Sequence, residues 1–177
     1  MRPQILILIT AMVFAFAWPS QAQQTMPPFE LDNLNGERIN SKQWSGQILV
    51  IHIATTWCPF CNAEAPHLQA LQEAYADRNV QVIIIDVKEG ANLVRAKLKD
   101  HHQLTFPILL DSDGAVAASL APAEVLPDLA RDEVMLASNL IVDQQGVIRY
   151  MSLLDTRNFD AKLVNLKARL DELLQNP

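Results

Sequence analysis

Cysteine is almost missing from this chain: of 177 residues only Cys58 and Cys61 carry a thiol. Small disulfide scaffolds use several bridges across long loops, so that class is excluded. Glycine is scarce at five residues, and neither glycine nor proline gathers into a low-complexity tract, which argues against long disorder. No internal repeat is present, so a solenoid or propeller is excluded. No block of like charge stands out, and the formal net charge of -6 argues against phosphate-backbone binding as the main activity. No nucleic-acid partner is expected. What remains is a chain half hydrophobic in composition, long enough to bury one real core.

The first residues read as a secretory signal. Arg2 and the amino terminus supply the positive start, and residues 5–18 are apolar apart from Thr10. Ser20 and Ala22 are small and spaced for cleavage before Gln23. The apolar run is short for a membrane span, so membrane attachment is expected only if the leader stays uncut. The expected organisation is a signal peptide at 1–22 and one domain at 23–177, with a periplasmic location.

Within that domain, residues 23–28 read as a mobile leader, and 29–44 as a short hairpin turning at Asn35-Gly36. "ILVIHIA" (48–54) and "VQVIIID" (80–86) are continuous β-branched runs suited to strands buried on both faces. Residues 62–77 read as a helix with Leu68, Leu71 and Tyr75 on one face. Residues 91–104 read as an amphipathic helix carrying Leu93, Ala96 and Leu104. "PILLD" (107–111) is a short strand. Residues 115–138, broken by Pro122 and Pro127, read as an irregular excursion with some helix. "NLIVDQQGVIRYMSL" reads as a hairpin. Residues 159–174 place Phe159, Leu163, Leu166, Leu170 and Leu173 on one helical face, which suits packing on the domain's own sheet better than an oligomer seam. The sum is an α/β fold, a central mixed sheet flanked by helices.

The cysteines follow the first buried run. A bond between them closes a tiny loop and would be a poor staple, since little unfolded-state entropy is removed. A helix starting just after Cys58 aims unpaired N–H groups at its sulfur and favours negative charge there. Pro59 suits the first helical position, where no N–H is needed. Thiolate is the attacking species in disulfide exchange, so Cys58 reads as nucleophile and Cys61, one turn deeper, as the resolving thiol. Trp57 would flank the sulfur, and the Pro59-Phe60 dipeptide would influence the couple's potential. The metal alternative needs more ligands: only His52, His67, His101 and His102 could join the two cysteines. His52 reads as a satisfied core histidine and His101–His102 as solvent-facing. An inert buried pair is the third reading. Redox chemistry is favoured, with no cofactor.

"ILVIHIATTWCPFCNAEAPHLQALQEAY" resembles the thioredoxin-like redoxins, in particular the TlpA/ResA-like exported thiol–disulfide oxidoreductases. Their pattern Trp-Cys-x-x-Cys-x-x-Glu-x-Pro-x-Leu is met by Trp57, Cys58, Cys61, Glu64, Pro66 and Leu68. The resemblance implies a thioredoxin fold, a protein thiol or disulfide substrate, an upstream redox partner, and a role in c-type cytochrome or metalloprotein maturation. It also singles out Glu64 as a group that tunes a thiol or relays a proton; the plainer reading is a solvated residue in the first helical turn. The family places a cis-proline before the strand that here is "NLIVD". That position is Ala137, which a cis bond would cost roughly 3–4 kcal/mol; Pro107 is the alternative occupant. Residues 137–170 also resemble the AhpC/TSA peroxiredoxins. That group keeps an arginine at the Ala137 position and the pattern Pro-x-x-x-Thr-x-x-Cys, of which Thr55 is present and Ile51 replaces the proline. A thiol-dependent peroxidase is therefore the second expectation and a metal-binding redoxin module the third.

Overall fold

The computed structural model describes residues 24–130, 138–153 and 155–175. The expected signal peptide, Ala137 and the end of the 115–138 excursion lie outside them. The expected hairpin forms as β1 (Glu30–Asn33) and β2 (Arg38–Asn40). Gly36 makes the turn possible with φ +80°, a left-handed value that side chains resist. The two β-branched runs become β3 (Ile48–Ala54) and β4 (Val80–Val87), joined by helix α1 (Pro59–Tyr75). β5 (Ile108–Asp111) follows α2 (Ala91–Val94), and a short α3 spans Ala115–Leu120. β6 (Ser138–Val142) and β7 (Ile148–Leu153) form the second hairpin, and α4 (Val164–Gln175) ends the described chain.

The sheet runs β2-β1-β5-β4-β3-β6-β7. β3, β4 and β5 are parallel, as helical crossovers require, while β6 pairs antiparallel with β3 and β7 with β6. Strand alternation divides the core. Ile48, Val50 and Ala54 of β3 join Val80, Val82 and Ile84 of β4 on the face covered by α1 and α4. Leu49, Ile51, Ile53, Ile83 and Ile85 pack on the other face with Phe29, Trp44 and Leu120. His52 and Asp86 share the parity of the first set, so both polar side chains point to the side of α1.

Three expectations need correction, and one alternative falls away. Residues 24–26 are not a loose leader: Met26 N–H donates to the Gly146 carbonyl at 2.9 Å and Ile148 N–H to the Gln24 carbonyl at 2.8 Å. After α2 the helix widens over Arg95–Asp100, and the buried residues are Val94 and Leu98, while Leu93 and Ala96 face solvent. The last helix begins at Val164 rather than 159. Asp155 takes the Arg157 N–H, Asp160 takes the Asn165 N–H, and Leu163 sits at φ +56°, a local bonding pattern that competes with helix. Its leucines behave as expected all the same: Leu163, Leu166 and Leu170 are buried in the domain's own core. Finally, no cis peptide occurs among the described residues. Pro107 therefore holds no cis bond, and it precedes β5, two strands from β3, whereas β6 lies beside β3.

Candidate active site

The parallel strand β3 delivers its C-terminal end to the start of α1, and the motif occupies that junction. Cys58 is the N-cap of α1, with extended backbone angles, and Pro59 takes the first helical position. The Cys58 sulfur accepts the Cys61 N–H at 3.3 Å, so one of the helix's unpaired donors points at it. Cys58 is 6% exposed and Cys61 1%. The order is the expected one, though the Cys58 residue is far more enclosed than its sequence context suggests. Trp57 beside it in sequence is 73% exposed. Phe60 packs edge-on against Phe159 with ring centroids 4.8 Å apart, which ties the motif to the segment before α4.

The turn that carries Cys58 is held from two sides. The Glu89 carboxylate, just beyond β4, accepts both the Thr56 N–H and the Thr56 hydroxyl. On the other side the Asn62 amide donates to the Thr56 and Cys58 carbonyls at 2.9 and 2.8 Å. Those two carbonyls fix the amide's orientation, so Asn62 Oδ1 faces His102 Nε2 at 3.1 Å and accepts from it.

Glu64 is not the solvated first-turn residue of the plainer reading. It is 7% exposed and faces inward, lining a cavity of about 190 Å³ together with Cys61, Asn139, Tyr150, Phe159 and Asp160. The Asn139 amide donates to both Glu64 oxygens at 3.1 Å, and His52 Nδ1 lies 3.3 Å from Oε2. Burial raises the Glu64 pKa to about 7, against the pull of the Asn139 bonds, and the negative charge of Asp160 pushes the same way as burial. Cys61 is raised much further, by burial first and then by its closeness to Cys58. A buried thiol that holds its proton firmly thus stands one helical turn from a carboxyl that exchanges its own near neutrality.

His52 departs from its expectation by half. Nδ1 bonds Asn139 Oδ1 at 2.8 Å, but Nε2 has no partner among the described residues. The sequence reading missed Asn139, Asn62, Glu89 and Asp86. Asp86 and Asn139 do leave a trace: each is a polar residue beside apolar neighbours in a strand, and their alternation places both on the α1 side. Among the described residues no three His, Cys, Asp or Glu side chains stand close enough to share a metal ion. Ala137, outside the described residues, immediately precedes β6.

Residues 22–151 match the AhpC/TSA family. The match spans the cysteine motif, and so is wider than the C-terminal resemblance in the sequence. Curated relatives include the thioredoxin-like protein YneN of Bacillus subtilis, 34% identical over 96 residues, which are 53% of this chain and 56% of that one. The thiol-disulfide oxidoreductase ResA of Oceanobacillus iheyensis is 28% identical over 123 residues, 63% of this chain and 64% of that one. The chain therefore spans less than two thirds of the length of these two relatives. Among solved structures, a secreted disulfide oxidoreductase of Mycobacterium tuberculosis homologous to E. coli DsbE superposes with a TM-score of 0.64 at 22% identity, over 81% of this chain and 95% of that one. By the match over residues 22–151 the chain belongs to the AhpC/TSA family, as a thioredoxin-like member similar to the ResA proteins.

Proposed function

We propose that this chain is an exported thiol–disulfide oxidoreductase that acts on protein disulfides through Cys58 and Cys61. The observation that carries the reading is the asymmetry of the couple: Cys58 caps α1 and accepts the Cys61 N–H, while Cys61 lies deeper, beside the buried Glu64. In the reducing direction the Cys58 thiolate attacks a substrate disulfide. A Cys58–substrate disulfide forms, and the first substrate thiolate leaves. Cys61 then gives its proton to the Glu64 carboxylate and attacks the Cys58 sulfur. The Cys58–Cys61 bond forms, the mixed disulfide breaks, and the second substrate thiolate departs and takes a proton from solvent. The substrate gains two electrons, which an upstream dithiol restores to the couple. Oxidation of a substrate dithiol runs the same steps backward, and the direction follows the couple's potential against its partners.

Export is proposed from the signal-like residues 1–22; the M. tuberculosis protein of the same fold is secreted. Similarity to the exported redoxins extends the reading to c-type cytochrome or metalloprotein maturation. Trp57, Pro59 and Phe60 are proposed as the substrate-facing wall, with Ala137 in the cis-proline position. The peroxidase reading is weaker, because Ile51 replaces the expected proline and its side chain is wholly buried on the sheet face away from α1.

Trapping tests this function. Cys61→Ser is expected to accumulate mixed disulfides through Cys58, which mass spectrometry identifies, while Cys58→Ser accumulates none. Trapping by Cys58→Ser alone would reverse the two roles. Turnover of peroxide at a rate matching disulfide exchange would move the assignment to a peroxidase.

A further inference from the structure

His52 stands in the middle of β3 and is 1% exposed; Asn139, its direct partner across the β3–β6 ladder, is 4% exposed. Burying two polar side chains in a sheet centre is costly unless they are bonded. Their bonds lead to Glu64. Because the Asn139 NH₂ group donates to both Glu64 oxygens, its Oδ1 is left to accept from His52 Nδ1 at 2.8 Å. The neutral ring therefore carries its proton on Nδ1, the atom 3.3 Å from Glu64 Oε2. Nε2, without a partner, is then a bare lone pair rather than a stranded donor. Protonating the ring would strand one, and burial holds the His52 pKa down at about 4. His52 is thus a fixed neutral donor throughout the working range of the couple.

We infer that His52 and Asn139 form a buried clamp that holds the Glu64 carboxyl within reach of Cys61 and stabilises its ionised form, ready to take the Cys61 proton. The inference rests on Glu64 being the base in the resolving step. The titratable and charged groups around Glu64 are Cys61 on its own helix, His52 on β3, Tyr150 on β7, and Asp155 and Asp160 on the segment before α4, with the neutral Asn139 on β6. Among the described residues Asn139 is the side chain that donates to the carboxylate, and His52 holds Asn139 in that orientation; burial and Asp160 oppose ionisation. His52 and Asn139 are positioning residues, since neither touches a sulfur.

The test uses the purified intact protein and bis-thionitrobenzoate disulfide, which releases one chromophore when Cys58 attacks and a second when Cys61 resolves. In the wild type the second phase is expected to titrate with a midpoint near 7, the Glu64 value. Asn139→Leu removes both donors. It should raise that midpoint by about one unit, slow the second phase roughly tenfold below it, and leave the first phase unchanged. His52→Leu should shift the midpoint the same way by less, and His52→Asn, which keeps an N–H, should restore part of it. In a Glu64→Gln background none of these changes should have a further effect. A midpoint unmoved in folded Asn139→Leu, or moved equally with Glu64→Gln present, overturns the clamp. A midpoint unmoved by Glu64→Gln alone overturns the base itself and the clamp with it. Should the variants fail to fold, nitrogen-15 NMR of wild-type His52 decides. A neutral Nδ1–H ring across pH 6–8 is expected; an Nε2–H ring, or protonation near the ordinary value of 6.5, overturns the clamp.

Discussion

Trp57 presents most of its ring to solvent. It is the most exposed large hydrophobic side chain among the described residues, adjacent in sequence to a cysteine whose own surface is nearly closed. A flat apolar ring held out beside a reactive sulfur gains by desolvation only against a large partner, and a rigid indole does so at low entropic cost. Trp57→Ala should therefore lower the second-order rate with an unfolded disulfide-bonded protein about tenfold, while the rate with a small disulfide changes less than about threefold. Stopped-flow measurement of both rates checks this, and an equal loss on both substrates would make Trp57 a prop for the turn instead. The residues whose placement sequence makes legible are those fixed by neighbours along the chain: Trp57, Cys58, Pro59 and Cys61 lie within one strand-to-helix junction, whereas Glu64 was singled out by the family resemblance and not by its local context. Asn139 could not be read in that way. Its role depends on facing His52 across a ladder of distant register, which no local pattern encodes.

At the scale of elements, continuous apolar runs proved the most legible feature. β3 occupies the predicted residues and β4 exceeds its prediction by one, because a strand buried on both faces needs apolar side chains at every position. Helix positions were less clear. Along 91–104 the regular repeat placed Leu104 correctly, but Leu93 and Ala96 face solvent and Val94 and Leu98 are buried instead, where the helix widens from Arg95. In α4 the leucine spacing was right and the start was wrong, since side-chain bonding by Asp155 and Asp160 outcompeted the first turn. Those leucines now distinguish packing from assembly. Leu170 is fully buried among β-strand and α1 side chains, whereas Val164 is 59% exposed. Leu170→Ala should cost about 2–5 kcal/mol of stability in urea unfolding, and Val164→Ala less than about 0.5 kcal/mol. A neutral Leu170→Ala that instead changed the protein's molecular mass in solution would restore the oligomer seam.

For the whole molecule, the buried ionisable groups set how stability follows pH. Asp86 is wholly buried at the end of β4, and neither of its oxygens has a hydrogen-bond partner among the described residues. Burial, followed by the negative charge of Glu89, raises its pKa from 3.8 to about 8. Glu64 is raised from 4.5 to about 7, and burial raises Asp111 as well. A carboxyl raised in the folded state binds its proton more tightly there than in the unfolded chain. Its contribution is complete below the unfolded pKa and is lost as pH rises through the folded one. His52, lowered from 6.5 to about 4, acts the opposite way, because the unfolded chain binds the proton that the buried ring refuses. Its penalty grows as pH falls from about 6.5 to 4 and has largely vanished above. Between pH 6.5 and 8 the buried carboxyls therefore dominate, and stability should fall as pH rises. At about 1.4 kcal/mol per unit, Asp86 alone accounts for a loss of about 2 kcal/mol across that window. Asp86→Asn keeps the shape without the charge, so its stability should be nearly level from pH 7 to 8 and exceed that of the wild type at pH 8. Urea midpoints at pH 6.5, 7.2 and 8 check the slope for both proteins. A wild-type stability that stays level or rises over this range would mean that Asp86 is already ionised in the fold, with its charge compensated from the side of α1.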